Sequence, residues 1–261
     1  MVTLQTIKRD IVEVGRRVYA RGYVASNDGN ISARLDARRV VITPTGVSKG
    51  FMKEDDMLVV DMDGKVVGGS GKPSSEIFMH LSIYKARPDV NGVCHAHPPY
   101  ATGFAVAGIP LDKCILPEVI IVLGGIPIVE YGTPGTDEFY KPVLKLLDKY
   151  DAFLLANHGA LTVGKDLFNA YHKMETLEHS AHIAFVAQQL GHVNTLSPQQ
   201  VQKLTDLRQK FGIQTGAECV TCADEGTCEV PQSKGGDQQM DREGLIKEVT
   251  EAILRRLDPS R

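Results

Sequence analysis

His95-Ala96-His97 is the triplet with the clearest chemistry in the chain. In an extended strand, residues i and i+2 project from one face, so two imidazoles converge on one point. That pair suits a divalent transition metal. His158, within Asn157-His158-Gly159, falls at an expected strand end beside a small residue and offers a third nitrogen. Three histidines leave one coordination position open, as a catalytic zinc requires. The other reading of the pair is an incidental surface HxH. Glu76 follows Ser74-Ser75 at an expected helix start. It is either a plain cap or, beside a metal, a general base. The free N–H groups and two hydroxyls at that helix start would suit an anion. The turns Asp28-Gly29-Asn30 and Thr43-Pro44-Thr45-Gly46 are either only turns or a phosphate cradle built from backbone N–H groups. Gly71-Lys72-Pro73 lacks the Ser or Thr of a Walker A loop. No GxGxxG supports a dinucleotide fold.

Two other clusters carry weaker signals. His172, Glu175, Glu178, His179 and His182 share one long helical stretch, but their order is not HExxH, and solvated pairing or packing explains them better. Cys219, Cys222 and Cys228 lie in a polar segment with no clear fourth ligand and read as incidental or redox-labile thiols.

The elements that must hold these groups alternate between strand and helix. Leu4, Ile7, Ile11, Val14 and Val18 predict an amphipathic helix over 3–22. Turn residues in SNDGNISARL (26–35) lead into a short strand, and further strands are expected over 39–44 and 57–62, with Asp63-Gly64 closing a hairpin. A helix should run from the Pro73-Ser74-Ser75-Glu76 segment to Ala86, with the serines as caps, followed by a strand over 90–97 and a helix over 99–107. Two apolar β-branched runs, 119–123 and 126–130, flank Gly124-Gly125. Helices over 137–149, 166–191 and 198–211 complete the body, with strand, turn and strand over 152–163. Such a mixture implies α/β layers around a largely antiparallel or mixed sheet.

Composition sets the limits. The 261 residues are 43% apolar, enough for a sizeable core. With 29 basic and 32 acidic residues the net charge is −3, so no basic surface for nucleic acid is expected. No apolar run has the length of a membrane span, and the first residues lack the apolar core of a secretory signal. Five cysteines, with Cys94 and Cys114 alone in the body, suggest a reducing, cytoplasmic compartment. The acidic excess is concentrated after residue 212, where the composition also turns polar. This predicts a body over 1–212, a flexible linker over 213–240 and a tail over 241–261.

Taken together, the segments GNIS (29–32), ITPTGVSKG (42–50), PSSE (73–76), HAHP (95–98), LGG (123–125), YGTPGT (131–136) and NHG (157–159) occur in a telling order. The body over about 1–190 thereby resembles class II aldolases of the L-fuculose-phosphate aldolase type. The resemblance implies a three-layer α/β/α fold around a central, mainly antiparallel sheet, and a homotetramer with active sites at subunit contacts. It assigns one zinc per subunit to His95, His97 and His158. Glu76 becomes the acid/base and, without substrate, a fourth ligand. Gly29, Asn30, Thr45, Gly46, Ser74 and Ser75 become the phosphate site. Zinc would act as Lewis acid on a ketose 1-phosphate, with dihydroxyacetone phosphate and lactaldehyde as products of an L-fuculose or L-rhamnulose type substrate. Two positions depart from the pattern. Glu118 stands where that type has a catalytic tyrosine, supplied from a neighbouring subunit, and Pro134 replaces an aromatic. Both departures concern the aldehyde end. Related enzymes include ribulose-phosphate 4-epimerases, which tend to carry aspartate at the position of Glu76, aldolases for deoxy- or methylthio-pentulose phosphates, and decarboxylase-like relatives. A non-catalytic cargo or scaffold protein is the alternative of another class, and the full histidine set speaks against it.

The tail carries Leu245, Ile246, Val249, Ile253 and Leu257 on one helical stripe. Such a helix either docks on its own body or a neighbouring subunit, or resembles the encapsulation peptides that bind microcompartment shell proteins. The location is accordingly cytoplasmic, inside or outside a bacterial microcompartment.

Overall fold

Strand pairing in the computed structural model, which describes residues 2–213, 217 and 219, follows the two-residue alternation of the sequence. The strands are β1 (Asn30–Arg34), β2 (Arg39–Ile42), β3 (Leu58–Asp61), β4 (Val66–Gly68), β5 (Gly92–Ala96), β6 (Ile128–Val129), β7 (Ala152–Leu155) and β8 (Gly159–Gly164). They form one sheet in the order β4-β3-β2-β1-β5-β8-β7-β6. Every neighbour is antiparallel except β6 and β7. The helices are α1 (Leu4–Ala20), α2 (Ile77–Ala86), α3 (Pro99–Ala107), α4 (Pro117–Val122), α5 (Asp137–Leu144), α6 (Leu167–Gln189) and α7 (Pro198–Lys210).

Two separate apolar cores make this a three-layer α/β/α fold, as expected. One face of the sheet packs Ile31, Cys94, Ala96, Leu154 and Ala160 against α1, α3, α4 and α6. The other packs Val40, Ile42, Val93, Phe153 and Leu161 against α2 and α5. Alternation along β5 therefore sends Cys94 and Ala96 to the first face and His95, with Val93, to the face covered by α2. Along β1, Asn30 and Ser32 take that same face, because Ile31 and Ala33 take the other. No helix among the described residues is long and apolar enough to cross a membrane.

The layer behind β8 is pinned by charge. Lys173 of α6 donates to Asp151 Oδ2 at 2.7 Å and to the Val163 carbonyl at 3.0 Å, with both side chains nearly buried. Arg87 approaches the same carboxylate at 3.3 Å. Removing one partner of a buried pair strands the other, which is the costly case. Lys173→Met should therefore lower the unfolding free energy by about 3 kcal/mol in urea titrations. A loss within the few tenths typical of surface changes would mean that Arg87 alone satisfies Asp151.

Several segments differ from the sequence expectations. The β-branched run 119–123 is mostly helical, because Pro117 sits at the first position of α4 with Glu118 in its first turn, and packing of Val119 and Ile120 overrides propensity. The following run yields only the short β6. Helix α2 starts one residue later than the PSSE motif suggests. Glu76 is its N-cap, with no side-chain cap bond, and Ser74 Oγ accepts the Glu76 N–H instead. Cys114 is not alone: it forms a disulfide with Cys219 across 105 residues. The start of the expected linker is held on the body. Arg208 donates twice to the Ala217 carbonyl, at 2.7 and 2.9 Å, and Ala217 is fully buried. The rest of that linker, with Cys222 and Cys228, and the tail 241–261 lie outside the described residues.

Candidate active site

The site forms where β5, the turn between β7 and β8, and the start of α2 meet. His95 projects from β5 toward α2, and His97 follows just past the strand, its N–H bonded to the Tyr23 carbonyl at 2.9 Å. His158 sits in the β7–β8 turn after Asn157, which holds a left-handed φ of 56°. Gly159 then has no room for a side chain: a Cβ there would lie 2.6 Å from the Ala96 carbonyl oxygen and 2.6 Å from the His97 ring. Phe139 of α5 packs edge-on to His158, with ring centroids 5.0 Å apart.

The three Nε2 atoms converge. His95 Nε2 lies 3.2 Å from that of His97 and 3.1 Å from that of His158. Glu76 adds its carboxylate at 3.3 Å from His95 Nε2 and 3.0 Å from His158 Nε2. The protons can be placed. His95 Nδ1 is 2.8 Å from the Ala160 carbonyl, an acceptor only, so Nδ1 carries the hydrogen and Nε2 presents a lone pair to the cluster. Asp28 lies 3.6 Å from His97 Nδ1 and favours the same tautomer there. Lone pairs and a carboxylate packed this closely repel one another unless a cation sits among them. Ligand atoms about 2.05 Å from a tetrahedral ion are separated by roughly 3.3 Å, so the observed spacings fit one four-coordinate divalent metal. Among the described residues, His95, His97 and His158 are the one group of three or more candidate ligands that converge in this way.

Burial tunes these groups. It pushes the His95 imidazole down to about 3, against the pull of Glu76, and so keeps it neutral and ligand-ready. The same cause, helped by the neighbouring His158, lowers His97. For Glu76, burial raises the pKa, but His95, the His158 contact and the Asn30 N–H outweigh it and hold the carboxyl well below its ordinary range. His80, fully buried beneath Asn30, is lowered to about 4 by desolvation. A histidine depressed on folding adds stability that is complete above its unfolded pKa of about 6.5 and is lost as the pH falls through the folded one. His80 alone should thus withdraw on the order of 2 kcal/mol between pH 7 and pH 5. The urea midpoint of metal-free protein should drop across that window, and His80→Gln should make the slope shallower while His95 and His97 keep part of it. A midpoint independent of pH there would contradict it.

The residues expected at an anion site are brought together by backbone contacts. Thr45 N–H bonds to the Lys72 carbonyl at 3.0 Å, and Pro44 bridges Pro73, which sets Thr45-Gly46 beside Ser74-Ser75. Lys49 Nζ donates to the carbonyls of Asn27 and Val47, both at 2.9 Å, tying the Gly29 turn to the Gly46 turn. Gly29 itself, at φ 73°, passes under the His95 carbonyl, where a Cβ would come within 2.8 Å. Thr45, Gly46 and Ser75 are exposed, and Ser74 is 8% exposed. Asn30 is the exception. It is 4% exposed, and its amide is already engaged at both ends, by Glu76 and His80.

Two residues of this neighbourhood escaped the sequence reading. Lys49 lies inside a recognised motif, yet nothing in the sequence says that its ammonium is buried; desolvation lowers it to about 8. His80 had one available signal, its i+4 spacing from Glu76. Glu118 is not brought to the histidines within the chain. It is exposed on α4 and lines a separate cavity of about 300 Å³ with Val119, Thr176, His179 and Ser180. The histidines of α6 do not converge: His172, His179 and His182 are exposed, and His182 stacks on Tyr100 at 3.8 Å. Glu178 caps α3 by accepting the N–H groups of Tyr100 and Ala101.

Residues 9–185 match the family described as Class II Aldolase and Adducin N-terminal domain. The chain belongs to the class II aldolase family. An L-fuculose phosphate aldolase of Methanococcus maripaludis is 36% identical over 181 residues, covering 69% of this chain and 97% of its own. A 3-oxo-tetronate 4-phosphate decarboxylase of Haemophilus influenzae is 34% identical over 207 residues, covering 78% and 94%. Among solved structures, an L-fuculose 1-phosphate aldolase superposes with a TM-score of 0.72 at 32% identity, covering 79% of this chain and 96% of that one. Aldolases and decarboxylases are both lyases, and the chain is an enzyme of that kind.

Proposed function

We propose that this class II aldolase family member is a zinc-dependent aldolase that cleaves a 6-deoxyketohexose 1-phosphate, of fuculose or rhamnulose type, to dihydroxyacetone phosphate and lactaldehyde. The observation that carries the reading is the convergence of three imidazole Nε2 atoms and the Glu76 carboxylate beside the paired glycine turns. His95, His97 and His158 would hold a divalent cation, which when bound would supply Lewis-acid polarisation of a carbonyl and its neighbouring hydroxyl. Gly29, Thr45, Gly46, Ser74 and Ser75 bind the phosphate through backbone N–H groups and hydroxyls, and so fix where the carbon chain lies. Retro-aldol cleavage takes a proton from the C4 hydroxyl, breaks the C3–C4 bond and returns a proton to C3. Glu76 is the group we assign to the proton at C3. Glu118, remote from the histidines of its own chain, enters this reading as a group delivered across a contact in a homotetramer and acting at the aldehyde end. Residues 241–261 are proposed to direct the enzyme to a microcompartment shell.

A second reading has equal sequence support. The decarboxylase of Haemophilus influenzae is nearly as similar as the aldolase of Methanococcus maripaludis. Loss of CO₂ from a 3-oxo acid and retro-aldol cleavage both leave an electron pair on the carbon next to a carbonyl, so one site geometry serves either. The deciding experiment loads the protein with zinc and offers fuculose 1-phosphate, rhamnulose 1-phosphate, a 5-deoxypentulose 1-phosphate, ribulose 5-phosphate and a 3-oxo-tetronate 4-phosphate. Dihydroxyacetone phosphate released from one of the first two supports the proposal. Its release from the pentulose phosphate alone moves the reading to that aldolase branch. CO₂ from the last substrate replaces it with the decarboxylase, and epimerisation of ribulose 5-phosphate replaces it with the epimerase.

A further inference from the structure

A polar seam leaves the site and runs inward between β1 and α2, through the core that covers this face of the sheet. Glu76, His80 and Tyr84 recur every four residues at and along α2, and Asn30 and Ser32 alternate on β1. Asn30, Ser32, His80 and Tyr84 are 4%, 0%, 0% and 1% exposed, so each polar atom there depends on a protein partner. The contacts are continuous: Glu76 Oε2 to Asn30 Nδ2, Asn30 Oδ1 to His80 Nε2, His80 Nδ1 to Ser32 Oγ at 2.7 Å, and Ser32 Oγ to Tyr84 OH at 2.9 Å.

The direction of every bond follows from the chemistry of the groups. A carboxylate only accepts, so Asn30 turns its NH₂ to Glu76 and its Oδ1 to His80. That Oδ1 only accepts, so His80 carries its hydrogen on Nε2. A neutral imidazole then has one acceptor, Nδ1, and the Ser32 hydroxyl donates to it. With the Ser32 hydrogen committed, Tyr84 O–H donates to Ser32 Oγ. All four donors therefore point along the file toward Glu76. Glu76 makes no cap bond as N-cap of α2, so outside the histidine cluster the Asn30 N–H is the donor that orients its carboxylate. Without a donor on Oδ1, the Asn30 amide is free to flip and would set an oxygen against the carboxylate.

We propose that His80, held as the Nε2–H tautomer by Ser32 and Tyr84, is the positioning residue that fixes the Asn30 amide and, through it, the Glu76 carboxylate. The inference rests on the acid/base reading of Glu76 and extends that machinery two side chains deeper.

Two substitutions of similar polarity separate positioning from packing. Glutamine at position 80 reaches with its amide nitrogen to where Nε2 stood; asparagine reaches only to Nδ1. His80→Asn should lower kcat about 10²-fold, the scale of a misplaced catalytic group, with KM and zinc content nearly unchanged. His80→Gln should recover most of that loss. Equal losses in both variants, or a loss confined to KM, would overturn the proposal. In the wild-type full chain without metal, ring nitrogen NMR should show His80 as the Nε2–H tautomer, and the Nδ1–H form would overturn the proposal even if both variants misfold. Should wild-type protein turn over none of the phosphosugars, the functional reading fails on its own, while the tautomer still decides the seam.

Discussion

Replacing His95 with alanine in the proposed zinc enzyme should reduce bound metal from the expected one per chain to a small fraction and lower turnover about 10³-fold or more. The size follows from what a Lewis acid contributes to developing charge, several kcal/mol, at 1.4 kcal/mol per decade of rate. His95 is the most consequential of the three proposed ligands for a structural reason. It is 1% exposed, its Nε2 is the hub from which both other Nε2 atoms are measured, and its Nδ1–H is fixed by the Ala160 carbonyl. His97, with a quarter of its side chain exposed, has more freedom to adjust and should lose less affinity when changed. The check is elemental analysis beside a thermal melt with and without chelator. Chelation should lower the melting temperature of wild-type protein, because a metal that binds only the folded state stabilises it by mass action. It should leave His95→Ala unmoved. A variant that keeps a full metal complement would remove the histidine set from the site.

That set was legible because strand geometry is simple. A period of two puts His95 and His97 on one side, and a small residue after His158 at a strand end leaves its side chain able to enter a cleft. The α/β layering was legible for the same reason, since Val40, Ile42, Val93 and Leu161 pack one face while Ile31, Cys94 and Ala96 pack the other; the three-layer arrangement came from the family resemblance. Pairing information was not. Cys114 and Cys219 are 105 residues apart, and spacing cannot choose a disulfide partner. Asn30 looked like part of a turn that receives an anion, and only the fold reveals that β1 turns its amide inward to Glu76 and His80. His80 lies within Ile77–Ala86, a mostly apolar helix, where a lone histidine reads as core. Lys49 acts through an ammonium that ties two loops, a relation that exists only in three dimensions. At α4, local signals existed in Pro117 and Glu118, but the β-branched residues after them pointed the other way.

Glu76→Gln is the sharper test of mechanism, because it preserves shape and removes the proton-carrying group. The variant should keep its zinc, since three imidazoles remain, and lose turnover about 10²- to 10⁴-fold, the usual worth of a positioned acid/base. The glutamine oxygen can still accept from Asn30, which leaves its NH₂ facing His95 and His158. In wild-type protein the His158 contact and the Asn30 N–H oppose burial and hold the carboxyl low, so the resting group is ionised. The measurement that isolates the proton transfer is exchange of the carbon-bound proton of dihydroxyacetone phosphate with deuterated water, followed by NMR. No aldehyde takes part, so neither the identity of the sugar nor the role of Glu118 enters the result. Exchange in Glu76→Gln at the wild-type rate would take the proton away from Glu76 and leave the carboxylate as a ligand alone. Exchange lost with zinc retained would place the proton transfer on Glu76 and confine the choice of substrate to the aldehyde end, where Glu118 and Pro134 depart from the fuculose-phosphate pattern.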